Sequence, residues 1–359
     1  MNRLAEALDE MTVEGELYEK LDQQVTRCLA CAHRCLTREG RRGVCKVRFN
    51  RGGKLYVPWG YVAGLQVDPI EKKPFYHILP GGSALTFGML GCDFHCEFCQ
   101  NYFTSQALRD PRSNEALRQA RRISPEQIVA VALRSGAEII ASSYNEPLIT
   151  SEWAVSIFRL AQEVNLKCVY ISNGNATPEA LEYLRPYLTG YKIDLKTMQD
   201  RQYRKMGGVL ANVLDTIRRV YEMGLWIEVV TLVVPGMNDS TEELMETARF
   251  LVSVSADIPW HVTAFHPDYK MSGAPPTPAR TLLRAAEIGQ EAGLRHVYAG
   301  NLPGRVGEYE STYCPQCRTA VIERYSYTIH SYRLAAGGRC PKCGTPLPGV
   351  WATDRAGDE

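Results

Sequence analysis

Residues 83–101 read SALTFGMLGCDFHCEFCQN. The first nine are apolar and strand-like, and they run directly into a loop carrying Cys92, Cys96 and Cys99 in a C-x3-C-x2-C spacing. Three thiolates on one tight loop can hold three corners of a [4Fe–4S] cube. The fourth iron is then open to a substrate or cofactor, a position that an electron-transfer ferredoxin closes with a further cysteine. The competing reading is a zinc site, which takes four ligands when closed and would draw its fourth from His95.

Beyond the loop, helix and strand patterns alternate. Strand runs at 137–144, 166–174, 190–196, 225–236, 260–267 and 296–301 are separated by helical stretches at 124–136, 151–164, 177–188, 211–224, 240–255 and 281–294. The first helix opens on a Ser-Pro start signal. The strand runs are nearly continuous in apolar residues, as expected of a parallel sheet covered on both faces. The repeat predicts an α/β fold, a partial (β/α)6 TIM-like barrel short of the full eight units. Chemistry in such folds sits at the C-terminal strand ends, which is where the cysteine loop lands. Polar residues end the later strands too: Tyr144, Asn145 and Glu146; Ser172 and Asn173; Asp194 and Lys196; His266; Asn301. Each alone reads as a turn residue or helix cap. Their recurrence at successive strand ends makes them candidate site residues.

The remaining cysteines of the twelve in the chain frame this core. Cys314, Cys317, Cys340 and Cys343 form C-x2-C-x22-C-x2-C, two knuckles joined by the β-rich stretch ERYSYTIHSYRL. That pattern predicts a zinc ribbon, with rubredoxin-like iron as an alternative. Cys28, Cys31, Cys35 and Cys45 form C-x2-C-x3-C-x9-C. Four thiolates again suggest one closed site, holding zinc or a second iron–sulfur cluster; His33 stands nearby as a spare ligand. Cys168, in KCVYIS, reads as a small buried hydrophobe. The expected organisation is an N-terminal four-cysteine metal-binding module at 1–50, the barrel at 51–305 and a C-terminal zinc ribbon at 306–359.

The 359 residues are 45% hydrophobic and 23% charged, an ordinary globular composition. Lysine plus arginine number 41 and aspartate plus glutamate 40, a net charge of +1. That balance argues against nucleic acid or an anionic membrane as a partner, the basic stretch Thr37–Gly43 notwithstanding. No apolar run approaches membrane-spanning length, and the first residues lack a signal-peptide core. Together with CxxC spacings that suit metals better than disulfides, this predicts a cytoplasmic chain.

A CxxxCxxC loop after the first strand of a partial barrel resembles the radical S-adenosylmethionine (SAM) superfamily, over roughly residues 55–305. The stretches DPIEKKPFYHILPG (68–81), GCDFHCEFCQN (91–101), SYNEP (143–147), IDLKT (193–197) and FHPDYKM (265–271) narrow the resemblance. They are similar to the group containing pyruvate formate-lyase activating enzymes, and within it to the AmmeMemoRadiSam-system enzymes. The resemblance implies a [4Fe–4S] cluster on Cys92, Cys96 and Cys99, with SAM chelating the fourth iron. Reductive cleavage of SAM would yield methionine and a 5′-deoxyadenosyl radical that abstracts hydrogen from a small-molecule or protein substrate. It also implies an electron donor, and AMMECR-type and Memo-type proteins as partners.

By the same resemblance, Phe98 borders the adenine, and Asn145 and Glu146 stand at the motif that meets the SAM amino group. Asp194 and Lys196 match an Asp-x-Lys motif near the SAM carboxylate, and His266 matches a histidine near the adenosyl group. The activating enzymes' ribose-binding aspartate is replaced by Ile171, which passes that role to Ser172 or Asn173. Two other readings stand beside this one: a glycyl-radical-enzyme activase acting on a protein glycine, and a non-catalytic zinc-ribbon binding protein. The polar loop from Asp68 to Gly81, with Glu71, Lys72, Lys73, Tyr76 and His77, is a candidate for sensing substrate closure.

Overall fold

In the computed structural model, residues 3–352 are described, so positions 1–2 and 353–359 of the two outer modules lie outside the described residues. Seven parallel strands follow one another in chain order: β1 (Ser83–Gly88), β2 (Ile139–Ser142), β3 (Lys167–Ser172), β4 (Gly190–Asp194), β5 (Trp226–Val233), β6 (Trp260–Ala264) and β7 (Val297–Gly300). An eighth strand, Gly64–Pro69, pairs antiparallel to β1 and forms one edge of the sheet; β7 forms the other. Hydrophobic patterning does not reveal this edge strand in GLQVDP, because none of its six residues is fully buried.

Each of the six crossovers carries a helix: α1 (Pro125–Arg134), α2 (Ser151–Glu163), α3 (Pro178–Leu184), α4 (Leu210–Glu222), α5 (Thr241–Val254) and α6 (Ala279–Ala292). Local chemistry starts them where the sequence predicts. Ser124 and Gln127 form a reciprocal capping box ahead of α1, with Pro125 in the first turn. Thr177 and Ser240 accept the N–H groups of Ala180 and Glu243 at the heads of α3 and α5. The strands they cover are buried on both faces; every residue of β2 and β6 is buried.

Two segments flank this core. The N-terminal one is built of short antiparallel sheets, one of Tyr18–Lys20, Thr26–Cys28 and Leu36–Thr37, the other of Thr12–Glu14, Lys54–Pro58 and Phe49–Arg51. It is fastened to the barrel by a fully buried ion pair. Arg48 donates from Nη2 to Glu152 Oε1 at 2.7 Å and from Nη1 to Oε2 at 2.8 Å, while the carboxylate also accepts the N–H of Leu17. The C-terminal segment is a three-stranded antiparallel sheet of Thr312–Tyr313, Ala320–Tyr325 and Thr328–Tyr332. Its buried Arg324 donates to Tyr76 O at 2.9 Å and to Thr312 Oγ1 at 2.7 Å, and lies 4.3 Å from the centre of the Tyr76 ring. Farther on, Val350 donates its N–H to His77 O and accepts that of Leu79.

A buried charge stripped of its partner is far more costly than the intact pair is stabilising. Arg48→Met should therefore lower unfolding stability by ~3–5 kcal/mol in denaturant titrations. The double change Arg48→Met with Glu152→Met should recover most of that loss; a double mutant as weak as the single one would contradict the pairing.

Candidate active site and metal centres

The cysteine loop leaves β1 through Gly91, whose φ of +97° suits glycine. A side chain there would meet Val47 and the carbonyl of Cys45, so the N-terminal segment presses directly on the start of the loop. Asp93 sits at the centre of its anchorage. It is almost completely buried, and its Oδ1 and Oδ2 accept from Asn173 Nδ2 at 2.8 Å and Asn175 Nδ2 at 2.9 Å. Arg109 completes the clamp, donating to Phe94 O at 2.6 Å and Cys92 O at 3.1 Å. The sulfurs are held as well: Phe94 N–H donates to Cys92 Sγ at 3.3 Å, and Cys99 Sγ lies 3.2 Å from the Ser105 hydroxyl.

Burial pushes all three thiols up, Cys96 to about 12. As free thiols they stay protonated at neutral pH; metal binding displaces the proton. His95, the candidate fourth ligand of a zinc site, takes no such place. Its ring packs against Gly207 and its backbone N–H donates to Met206 O at 2.9 Å. The loop thus offers three sulfurs and leaves a fourth metal position open, a donor set that fits a [4Fe–4S] cluster with one accessible iron.

Cys96, Phe98 and Cys99 line a cavity of about 420 Å³ in the barrel mouth. On its wall, Lys192, Asp194 and Lys196 share one face of β4 and its extension, as the two-residue strand period requires. Asp194 pairs with Lys192 through Oδ1 and with Lys196 through Oδ2, the latter at 3.2 Å. Burial alone would raise the Asp194 carboxyl, but the two lysines hold it down at about 2. Lys196 is raised against the cost of its own burial by Asp194 and the nearby Cys96. Its Nζ lies 6.0 Å from the centre of the Phe98 ring. Lys192 was not among the residues expected from sequence, although the same strand period places it beside Asp194.

Glu146, Ser172 and Asn173 come together behind this wall. Glu146 accepts from Ser172 Oγ at 2.7 Å, from Asn173 N at 2.8 Å and from Leu148 N at 3.1 Å. Burial and the neighbouring Asp93 push its carboxyl up to about 8. Asn145 Oδ1 accepts Met89 N–H at 2.9 Å, tying the ends of β1 and β2. The residue before it, Tyr144, adopts a φ of +70° and contributes its ring to the cavity. Ile171 lines the cavity, whereas His266 is exposed beyond the end of β6 and is not part of the lining.

Of the rest of the lining, sequence reasoning named Glu71, Lys72, Lys73, Tyr76 and Asn301 but missed His261 and Tyr298, and it missed the buried acid that holds His261. Glu228, the one acid in the apolar strand β5, is fully buried beneath the cavity. It accepts the N–H groups of Tyr76 and His77, the indole of Trp226, and His261 Nε2 at 2.6 Å. Tyr76, His261 and Tyr298 carry this network to the cavity wall. The loop 68–81, a candidate for sensing substrate, lines the cavity with Glu71, Lys72, Lys73 and Tyr76 and is also packed as a seam. His77 is fully buried with Nε2 2.7 Å from Tyr298 OH, and Glu71 is buried beside Arg324; Lys72 alone of the named polar group is well exposed. A charged group in an apolar strand was the signal that could have located Glu228. No local signal predicts that Arg324 crosses from the C-terminal segment to meet Glu71.

The outer cysteines fall into two geometries. Cys314, Cys317, Cys340 and Cys343 converge, all their sulfurs lying within 4.8 Å of one another, as four ligands of a single metal ion must. Cys28, Cys31, Cys35 and Cys45 line one enclosed cavity at the junction with the barrel. Among the described residues no helix is long and apolar enough to cross a membrane.

Residues 87–251 match the family model described as the radical SAM superfamily. The chain is 37% identical over 337 residues to an uncharacterized protein of Methanocaldococcus jannaschii, covering 93% of this chain and 98% of that one. It is 24% identical over 170 residues to an isethionate sulfite-lyase activating enzyme of Oleidesulfovibrio alaskensis, covering 46% of this chain and 54% of the relative. Among solved structures, a domain of a pyruvate-formate lyase-activating enzyme from Bacteroides vulgatus aligns with a TM-score of 0.40 and 17% identity, over 46% of this chain and 100% of that domain.

The convergent sulfurs give a direct expectation. Cys340→Ser should cost about one bound metal ion per chain and lower the melting temperature, both read on protein purified without added metal. Metal content equal to that of the parent chain would remove the site.

Proposed function

This chain belongs to the radical SAM superfamily, and on that premise we propose that it reductively cleaves SAM and uses the product to abstract hydrogen from a substrate held in the barrel mouth. The observation that carries the reading is the juxtaposition, in one cavity, of Cys96 and Cys99 of the three-cysteine loop with a lysine–aspartate–lysine row. Cys92, Cys96 and Cys99 would hold the cluster, which when bound would supply the electron for reductive cleavage of SAM.

The protein's own contribution is orientation, charge matching and exclusion of water. Lys196, fully charged through its bond to Asp194, is placed to receive the SAM carboxylate as a charge-assisted hydrogen bond. Phe98 supplies an aromatic edge for the adenine. Glu146, Ser172 and Asn173 form a polar corner under the same loop, suited to the amino group and the ribose once Glu146 ionises. Asn145 fixes the strand ends that carry them, whereas His266 is exposed and outside the cavity lining.

The rest of the cavity supports a small polar substrate. Tyr144, Lys73, His261 and Tyr298 add polar groups to the lining, joined by Ser326 and Tyr327 of the C-terminal segment. A glycyl-radical-enzyme activase, acting on a protein glycine, is the second reading, favoured by the likeness to the isethionate sulfite-lyase activating enzyme over half of that protein. On the first reading the protein works in the cytoplasm with an external electron donor, carries zinc in the C-terminal ribbon, and divides into units at 1–50, 51–305 and 306–359. AMMECR-type and Memo-type proteins are the partners that the motif likeness suggests.

The test is anaerobic reconstitution, reduction with dithionite and measurement of 5′-deoxyadenosine after adding SAM. Cys96→Ala should abolish the product. Lys196→Met should keep the iron and weaken SAM binding by roughly ten- to a hundredfold, the worth of a hydrogen bond to a charged group. Unchanged affinity would return Lys196 to a purely structural role, and S-adenosylhomocysteine as the main product would replace hydrogen abstraction with methyl transfer.

A further inference from the structure

We propose that Cys28, Cys31, Cys35 and Cys45 hold an iron–sulfur cluster, not zinc, and that this cluster passes electrons to the one at Cys92, Cys96 and Cys99. The first half rests on geometry alone; the second also rests on the reading of the central site given above.

The three cysteine sets calibrate one another. A single zinc ion with bonds of about 2.3 Å draws its four tetrahedral sulfurs to roughly 3.8 Å from one another. The C-terminal set fits: Cys314 and Cys343 are 3.5 Å apart, and Cys317 and Cys340 are 3.6 Å apart. Among the described residues it is the group whose ligand atoms lie within 4.8 Å of one another. Neither the N-terminal four nor the central three draw together in that way. A cubane seats each thiolate on a different iron and so holds the sulfurs farther apart than one ion does. The N-terminal sulfurs nevertheless belong to one site. All four line a single enclosed cavity.

The surroundings suit such a cluster. Val44 N–H donates to Cys35 Sγ at 3.4 Å, and hydrogen bonds to cluster sulfurs are a principal control on potential. The cavity is walled by Leu55 and Ile149, with Arg48 buried close to Cys28 and Cys45.

The connection to the central loop is short. Cys45 O lies 3.1 Å from where a Cβ on Gly91 would stand, and Gly91 is bonded to Cys92. Arg109 Nη2 donates both to Val44 O at 2.6 Å and to Cys92 O at 3.1 Å. The neighbour of one ligand and the backbone of another thus share one guanidinium nitrogen. The transfer balances as two one-electron exchanges. A low-potential donor of the ferredoxin or flavodoxin class is oxidised as the N-terminal centre is reduced. That centre is then reoxidised as the same electron reaches the central one.

The experiment uses the full chain, purified and reconstituted anaerobically with iron and sulfide, then analysed for iron and zinc and by electron paramagnetic resonance. We expect about eight irons per chain and two reduced cubane signals, of which SAM shifts only one. In Cys35→Ala/Cys45→Ala we expect loss of about four irons, with the SAM-responsive signal kept. Turnover driven by a reduced flavodoxin should be lost in that variant, while turnover driven by dithionite persists. Should the variant fail to fold, the metal content and signals of the parent chain decide the first half on their own. About four irons with zinc at both outer sites overturns the proposal, even if SAM is cleaved. A full complement of about eight irons with flavodoxin-driven turnover intact in the variant overturns the relay. The same complement with no signal responsive to SAM overturns instead the reading of the central site, and the relay with it.

Discussion

One buried carboxylate organises the active end of this protein. Asp93 follows the first cysteine of the loop, is nearly inaccessible, and spends its two oxygens on the side-chain amides of Asn173 and Asn175. A charge so placed is tolerable only when hydrogen bonds replace its water. Those bonds fix the loop to the end of β3. Asn175 in turn accepts the N–H of Ala32, so the N-terminal cysteine segment is held by the same turn. The field of Asp93 also reaches Glu146, whose carboxyl it helps to raise. Loop position rests on this residue, and the turn it binds also meets the N-terminal segment and the polar corner.

The electrostatics on the opposite wall are of the complementary kind. Asp194 between Lys192 and Lys196 leaves a net positive row in a secluded space. A zwitterionic cofactor can exchange bonds with this row without either partner being left buried and unpaired. Secluding that exchange from water strengthens it and shields a reactive product from quenching. The cost is a barrel that cannot close itself, and the C-terminal sheet makes up the deficit by inserting Arg324 against Tyr76 beneath the cavity.

Much of this was legible in the sequence, for physical reasons that differ by element. The alternation of β and α segments came from apolar runs long enough to be buried on both faces, and capping residues such as Ser124 and Thr177 marked the helix starts. Asp194 and Lys196 were readable because they interrupt an apolar strand at its end. Lys192 obeys the same two-residue period, but it lies inside the strand and passes for an ordinary polar interruption. His266 and His77 show the reverse. Their types suggested chemistry, yet His266 is exposed and His77 is sealed among aromatic rings, because burial is decided by segments far away in the chain. Glu228 and Arg324 belong to long-range networks whose partners no local pattern reveals. Cysteine spacing located three candidate ligand sets, while the difference between them lay in sulfur separations that spacing does not encode.

The central claim is that SAM binds the open iron of the cluster on Cys92, Cys96 and Cys99. The most direct measurement is electron–nuclear double resonance on the reduced protein with SAM carrying a magnetic isotope in its amino nitrogen. Hyperfine coupling between that nitrogen and the cluster spin is expected, present in the parent chain and absent in Cys96→Ala. A reduced cluster that shows no such coupling while SAM is demonstrably bound would contradict the claim.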